Sequence, residues 1–426
     1  MKRIFFIQDS IENQVSFYHL ICLLLALPFD FFYTQLICIS FGLHTVFHIR
    51  KQKLGDVFTK RVLIQISIWL LALAGVLYSQ DKDEAFSMVT RQWSMLLMPL
   101  LLSVNNVNLQ KYKHNLLCIF GLGCTATLVY LYIDALLTIR YFHLPLSSLF
   151  TSVFMNHNFS MPLKLHATYL AMYTAFSLII FLYLLFTNNG PAMKWFYVLC
   201  SIVLFAALVQ LSSRSVFIAF LVIINLAFPF FNFNGKKRLV FFITASLIST
   251  AVVFIIAHVD AFKTRYISEL KTDLTDNVTI IDNTEPRLAR WEAIVELVKQ
   301  SPVIGYGSGA ERKELREKFF EKKFYFSYLY EFNAHSEYLS ILIRLGIIGL
   351  AVFLFILYFS FRIAFQGRDI VFLGFLAMIS VVGIAENFLD MNRGVFFYSF
   401  FLALFLQEGQ GKVAGIDTAG LPGNPA

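Results

Sequence analysis

The sequence predicts an all-α, polytopic membrane protein of about twelve transmembrane helices with one large helical loop outside the bilayer. Three observations predict it. Of the 426 residues, 58% are hydrophobic and only 15% are charged, against about 25% charged in an ordinary soluble chain. The mean hydropathy is +0.67, and the 48 Phe exceed what one water-soluble core can bury. Apolar runs of about 20 residues, the length that crosses the hydrocarbon layer, recur along the chain with a single long polar interruption.

Taken in order, these runs predict helices over 16–30, 32–49, 62–79, 86–104, 115–138, 164–187, 195–211, 215–232, 239–258, 337–361, 370–386 and 394–407. Pro28 and Asp30 divide the first two runs, and Arg91 and Gln92 lie near the start of the fourth. The chain thus divides into spans one to nine (1–259), a large periplasmic loop with amphipathic helices (260–336), and spans ten to twelve (337–408). The tail 409–426 is rich in Gly, Ala and Pro and is expected to be disordered. The first apolar run lacks a small-residue cleavage site and reads as an uncleaved anchor.

Basic residues set the orientation. With a cytoplasmic N-terminus, one side receives Lys2, Arg3, Arg50, Lys51, Lys53, Lys60, Arg61, Lys111, Lys113, Lys194, Lys236, Lys237, Arg238, Arg362 and Arg368. The short loops of the other side carry only Lys82, Arg91, Arg140, Lys164, Arg214 and Arg393. Cytoplasmic loops hold the excess of Lys and Arg, so both termini are expected in the cytoplasm and the large loop in the periplasm of a bacterial inner membrane. The formal charge of +8 is spread over these clusters with no basic run interleaved with aromatics, so no nucleic-acid partner is expected. Cys22, Cys38, Cys118, Cys124 and Cys200 all lie in apolar stretches without ligand spacing, which predicts neither a disulfide nor a zinc site.

Within the large loop, Thr284 and Pro286 mark a helix start, and Leu288, Trp291, Ile294, Val295 and Val298 recur at helical spacing through Lys299. Pro302 and the Gly305–Gly309 run end that helix. Glu311–Lys323 reads as a solvated helix of alternating charge, and the aromatic patch Phe324–Phe332 as an interfacial lead into the next span.

Three outward-facing pieces could carry chemistry. In Ser212-Ser213-Arg214-Ser215 an arginine stands between two apolar runs, either snorkelling to the interface or forming an anion clamp. Arg287 and Arg290 share one helix face near a helix N-terminus, where cations are disfavoured unless an anion binds. The plainer reading pairs them with acids such as Glu292. His335, before Ser336 and Glu337 at the mouth of the tenth span, is either an interfacial residue in a capping segment or a general base suited to neutral pH. The Gly305-x-Gly307-x-Gly309 run lacks the strand and βαβ context of a dinucleotide site and reads as a tight turn.

Arg287-x-x-x-Trp291, Pro302-x-x-Gly305-x-Gly307-x-Gly309, Ala334-His335-x-x-Tyr338-Leu339 and Gly346-Ile347-Ile348-Gly349-Leu350 together resemble the O-antigen ligase superfamily, which also includes Wzy-type polymerases and O-oligosaccharyltransferases. The resemblance covers roughly 160–405, with Ser213-Arg214 two spans before the large loop and Glu386-x-x-Leu389 near the end. Ser336 departs from the Asn that many members carry there.

The resemblance implies a metal-independent, inverting glycosyltransferase without a cofactor. It would move a glycan from an undecaprenyl-diphosphate carrier in the membrane lipid to a hydroxyl of a lipid-A core or other glycan acceptor. Arg214 and Arg287 would hold the diphosphate and His335 would activate the acceptor, with Arg290, Ser336, Glu337 and Glu386 as secondary candidates. A polymerase needs the same donor site and stays open as an alternative. A transporter of lipid-linked glycan, which would show inverted repeats and ionisable residues at mid-membrane, is the reading from another class.

Overall fold

The computed structural model describes residues 2–187, 190–273 and 285–408, and every regular element among them is helical. The main helices are α1 (Ile11–Ala26), α2 (Phe31–Phe47), α3 (Lys60–Tyr78), α4 (Lys82–Arg91), α5 (Ser94–Val104), α6 (Leu109–Tyr141), α7 (Ala167–Thr187) and α8 (Pro191–Leu211). They continue with α9 (Arg214–Asn232), α10 (Gly235–His258), α11 (Arg287–Val298), α12 (Glu311–Glu321), α13 (Glu337–Gln366), α14 (Ile370–Ala385) and α15 (Asn392–Glu408). Among the described residues, seven helices (α3, α6 to α10 and α13) are long and apolar enough to cross a membrane, and α1, α2 and α14 are shorter apolar helices. The protein is an all-helical polytopic membrane protein.

Phenylalanine builds the centre. Phe120 of α6, Phe176 of α7, Phe375 of α14 and Phe397 and Phe401 of α15 are buried together. Ring centroids stand 4.8 Å apart for Phe120–Phe401, 4.9 Å for Phe176–Phe401 and 5.5 Å for Phe375–Phe397. In lipid the hydrophobic effect does not separate inside from outside, so close packing of flat rings specifies the bundle instead. Helix α10 is the outlier, with only Ala245 and Ile256 buried along its length.

The predicted fourth span differs from the structure. It is two helices, α4 and α5, broken at Gln92-Trp93. The break keeps polar groups paired: Asp81 caps the N-terminus of α4, Arg91 pairs with Glu84 at 2.6 Å, and Gln92 donates to the Leu389 carbonyl at 3.0 Å. One straight apolar helix would leave these groups in hydrocarbon.

Polar contacts between elements sort consistently by end. At one end Arg61 donates to the Leu406 carbonyl, Lys113 pairs with Asp369, and Asn106 donates to the His48 carbonyl. At the other, Tyr78 donates to the Ile304 carbonyl, Arg214 pairs with Asp273, and Arg287 donates to the Ala385 carbonyl. Each contact joins loops that the charge asymmetry assigns to the same side.

The large loop is built from α11, α12 and a short turn of helix at Tyr325–Leu329 around Ile294, Leu297, Leu315 and Phe319. Thr284 of the predicted helix start lies outside the described residues, as does the tail 409–426; Pro286 occupies the N-cap position of α11. Glu285 fixes the aromatic segment by accepting from the Phe326 and Ser327 N–H groups at 2.9 and 3.0 Å.

The glycine run docks into a break in α13. At Gly346 the backbone turns to φ +61°, which leaves neighbouring amides and carbonyls free. The segment 302–307 takes them up: Tyr306 and Gly307 donate to the Ile343 and Arg344 carbonyls at 2.8 and 2.9 Å, and Ile347 donates to the Pro302 carbonyl at 2.9 Å. Gly307 has φ +100°, and a Cβ there would stand 2.5 Å from Ser79 Cα. Only glycine allows this approach. The N–H groups of Tyr306, Gly307, Ser308 and Gly309 are all bonded to protein, with Gly309 donating to Ser79 Oγ at 3.3 Å, so the run acts as a docking device.

Candidate active site

The three sequence pieces meet at the loop-bearing end of the bundle. Arg214 opens α9 after a left-handed turn at Ser212, a compact reversal that sets its side chain at the bundle end. It pairs with Asp273 at 2.7 Å and is within electrostatic reach of Arg265, Arg287 and Glu269. Arg287, the first residue of α11, donates through Nη1 to the Ala385 carbonyl at 3.0 Å. Glu386, next along that strand of chain, feels Arg287, Arg265 and Arg214 together. Arg290 is buried, with its guanidinium 4.9 Å from the Phe332 ring centroid. Burial, with Arg287 beside it, pulls Arg290 down to about 10, still charged at neutral pH.

The arginines are incompletely bonded. Arg214 Nη1, Arg265 Nε, Arg287 Nε and Arg290 Nε are all buried without a hydrogen-bond partner. Single orphaned guanidinium atoms also occur at Arg91, Arg344 and Arg393, but only here do four arginines converge. Like charges gathered out of water repel one another and leave donors unpaired, an arrangement that an anion relieves. Phosphate oxygens match guanidinium donors in both charge and geometry.

His335 stands beside this cluster. Its backbone is in the left-handed region at φ +45°, and its N–H donates to Asn333 Oδ1 at 3.1 Å. A non-glycine residue held there is uncommon and marks local strain. The ring packs edge-on against Phe332, with centroids 5.6 Å apart. Burial first, then Arg290, Arg287 and His166, lower its pKa to about 3, so the imidazole is neutral, and a weak base until an anion offsets the arginines.

What holds His335 is a buried polar network that sequence reasoning missed. Glu311, at the start of α12, accepts from the Ala334 N–H at 3.1 Å and from Asn387 Nδ2 at 3.2 Å. Asn387 Oδ1 in turn accepts from the Ser336 N–H at 2.6 Å. Arg344 of α13 bridges Glu311 and Asp390, the latter at 2.6 Å. Trp291 of α11 donates to the Ala334 carbonyl at 2.9 Å. The two residues flanking His335 are therefore clamped from three elements. The one available signal was Arg344, an ionisable residue inside an apolar span.

The remaining candidates fall as follows. Ser336 occupies the N-cap position of α13, but its side chain makes no capping bond; its backbone is what the site uses. Glu337 is buried, and its carboxylate accepts from the Leu389 N–H at 2.9 Å, inside the clamp and away from the arginines. Glu386 lies among the arginines. Among the described residues no group of three or more His, Cys, Asp or Glu could hold a metal ion.

Comparison with known proteins bears directly on this cluster. A family model described as O-antigen ligase matches residues 199–354. That stretch is similar to the O-antigen ligase family. The match takes in Arg214, Arg287, Arg290 and His335, together with Glu311 and Arg344 of the clamp. No curated protein matches the chain.

Proposed function

We propose that the protein transfers a glycan from an undecaprenyl-diphosphate carrier to an acceptor hydroxyl on the periplasmic face of the inner membrane, in the manner of an O-antigen ligase with a lipid-A core acceptor. The observation that carries this reading is the convergence of buried, partly unbonded arginines beside a neutral histidine. The leaving group is a diphosphate, whose charge grows as the glycosidic carbon–oxygen bond breaks. Fixed guanidinium groups of Arg214 and Arg287, with Arg290 behind them, oppose that charge without reorganising. His335 takes the proton from the acceptor oxygen as that oxygen attacks the anomeric carbon from the face opposite the diphosphate, which inverts the configuration. The Glu311–Asn387–Arg344 clamp holds the imidazole in place for that attack.

Two cavities suit the two substrates. An apolar cavity of about 530 Å³ lies among α7, α8, α9 and α10, lined by residues such as Leu182, Phe205, Ile224 and Ile248. Its apolar lining suits a prenyl chain. A second of about 650 Å³, lined by Leu288, Trp291, Glu292, Lys299, Ser336 and Tyr338, suits an amphipathic acceptor. Twelve crossings with both termini cytoplasmic, as the basic loops suggest, complete the reading.

The test is transfer by the purified protein from lipid-diphosphate glycan to lipid-A core, with and without a chelator. Product of inverted anomeric configuration that forms equally in chelator supports the reading. Abolition by chelator would remove the arginine-only mechanism, and extension of the donor glycan on itself would assign the protein as a polymerase.

A further inference from the structure

A second wall of the site comes from the segment between α6 and α7, which the sequence reading passed over. This segment docks on the Ser212–Arg214 turn: the Asn156 N–H donates to the Gln210 carbonyl at 3.1 Å, and Gln210 Nε2 donates to the Leu149 carbonyl at 2.7 Å. It presents His157 and His166 with ring centroids 4.2 Å apart, edge to face. Both rings are open to solvent yet surrounded by protein on most sides, as on the wall of a recess. Their tautomers are set by the start of α7. His157 Nδ1 accepts from the Ala167 N–H at 3.5 Å and His166 Nδ1 from the Thr168 N–H at 3.3 Å. A neutral ring that accepts at Nδ1 carries its hydrogen on Nε2. Each histidine therefore offers one N–H donor.

Arg265 faces the pair. It lies on a single π-helical turn, Thr264–Ser268, a feature that recurs at functional sites. Nη1 is bound to Glu269, whereas Nε is buried with no partner. Its charge reaches His157, His166, Arg214 and Glu386. Burial first, and then Arg265, lowers the pKa of His157, which keeps that ring a neutral donor. On its far side His166 is 5.5 Å from the Tyr169 ring and within electrostatic reach of His335. Tyr169 donates to the Asn387 carbonyl at 3.3 Å, joining this wall to the His335 clamp.

Resting on the glycosyl-transfer reading above, we propose that Arg265 with the Nε2–H groups of His157 and His166 forms a second phosphoryl subsite, so that the two phosphoryl groups of the diphosphate are divided between this set and the Arg214–Arg287 set. One guanidinium pair suffices for a single phosphate. A diphosphate needs two adjacent clusters of donors, and the site contains two.

The test is selectivity between undecaprenyl diphosphate and undecaprenyl monophosphate, measured as equilibrium binding to the purified full-length protein in detergent. Arg265→Gln and His166→Leu are expected to weaken diphosphate binding by about 10- to 100-fold, the worth of a charge-assisted hydrogen bond, while monophosphate binding holds. His166→Gln, which keeps an N–H donor, is expected to retain most of the affinity. Equal losses for both lipids, no loss for either, or a Gln variant as weak as the Leu variant overturns the subsite. If the wild-type protein binds neither lipid, the glycosyl-transfer reading itself fails, a result distinct from loss of selectivity.

Discussion

Arg344→Met is the perturbation that most severely tests the clamp behind His335. Arg344 and Glu311 are both almost fully buried, at 6% and 5% exposure, and Arg344 also holds Asp390. Removing the guanidinium leaves two carboxylates facing each other without a cation. Breaking one buried pair costs about 3–5 kcal/mol, and here two pairs break. Against a total of about 5–15 kcal/mol, that is a large share of the stability. Met replaces most of the arginine stem, so the loss reports mainly the missing charge and not an empty cavity. Adding Glu311→Gln and Asp390→Asn removes the stranded charges, and the triple variant is expected to regain at least half of the lost stability. Its transfer activity should stay low, because neutral amides hold the Ala334 N–H and Asn387 Nδ2 less firmly than the two carboxylates do. The assay is unfolding in detergent followed by tryptophan fluorescence, paired with glycan transfer on the same samples. Arg344→Met with stability within about 0.5 kcal/mol of wild type would refute the reasoning.

Other consequences follow from the same geometry. His335 is lowered to about 3 in the folded protein, against about 6.5 unfolded. The unfolded chain thus binds a proton that the native state refuses between those values, and stability falls as the pH drops from about 6.5 toward 3. His335→Gln should lose less stability than wild type when unfolding is compared at pH 7 and pH 5. Gly307→Ala should destabilise by about 1–3 kcal/mol, since a Cβ meets Ser79 and φ is +100°. Gly55→Ala, with nothing within 4 Å, serves as the neutral control in the same thermal scans. Trp291→Phe removes the 2.9 Å bond to the Ala334 carbonyl and should cost about 1 kcal/mol. It should also lower kcat more than it raises the donor KM, because it loosens His335 and leaves the arginines in place.

Much of the fold was legible because lipid imposes a simple code. A span must be apolar for about 20 residues, and the runs announced themselves. The predicted 195–211 and 337–361 correspond to Pro191–Leu211 and Glu337–Gln366, and the amphipathic pattern through Lys299 to Arg287–Val298. The fourth span misled because its apolar half, Ser94–Val104, begins directly after Arg91 and Gln92, whose partners Glu84 and Leu389 are set by tertiary contacts. Arg214 and His335 stood out at span ends, and Arg287 stood out near a helix N-terminus in the large loop. The clamp was not, since Glu311, Arg344 and Asn387 lie far apart in the chain and meet only through folding. Arg265 and the His157–His166 pair were hidden likewise, in segments whose local composition is unremarkable. The Gly305–Gly309 run was seen, but its partner was not: nothing local in Gly346 says that its helix breaks to receive another backbone.

The proposed mechanism separates two jobs, with arginines holding the diphosphate and His335 performing the acceptor proton transfer. Its most direct test measures donor binding and single-turnover transfer side by side for Arg214→Ala, Arg287→Ala and His335→Gln in the purified protein. His335→Gln is expected to bind the undecaprenyl-diphosphate donor as tightly as wild type while transfer slows about 10²- to 10⁴-fold. Each arginine variant should bind the donor about 10- to 100-fold more weakly. Arginine variants with undiminished donor affinity, or a His335→Gln protein that turns over at the wild-type rate, would contradict it.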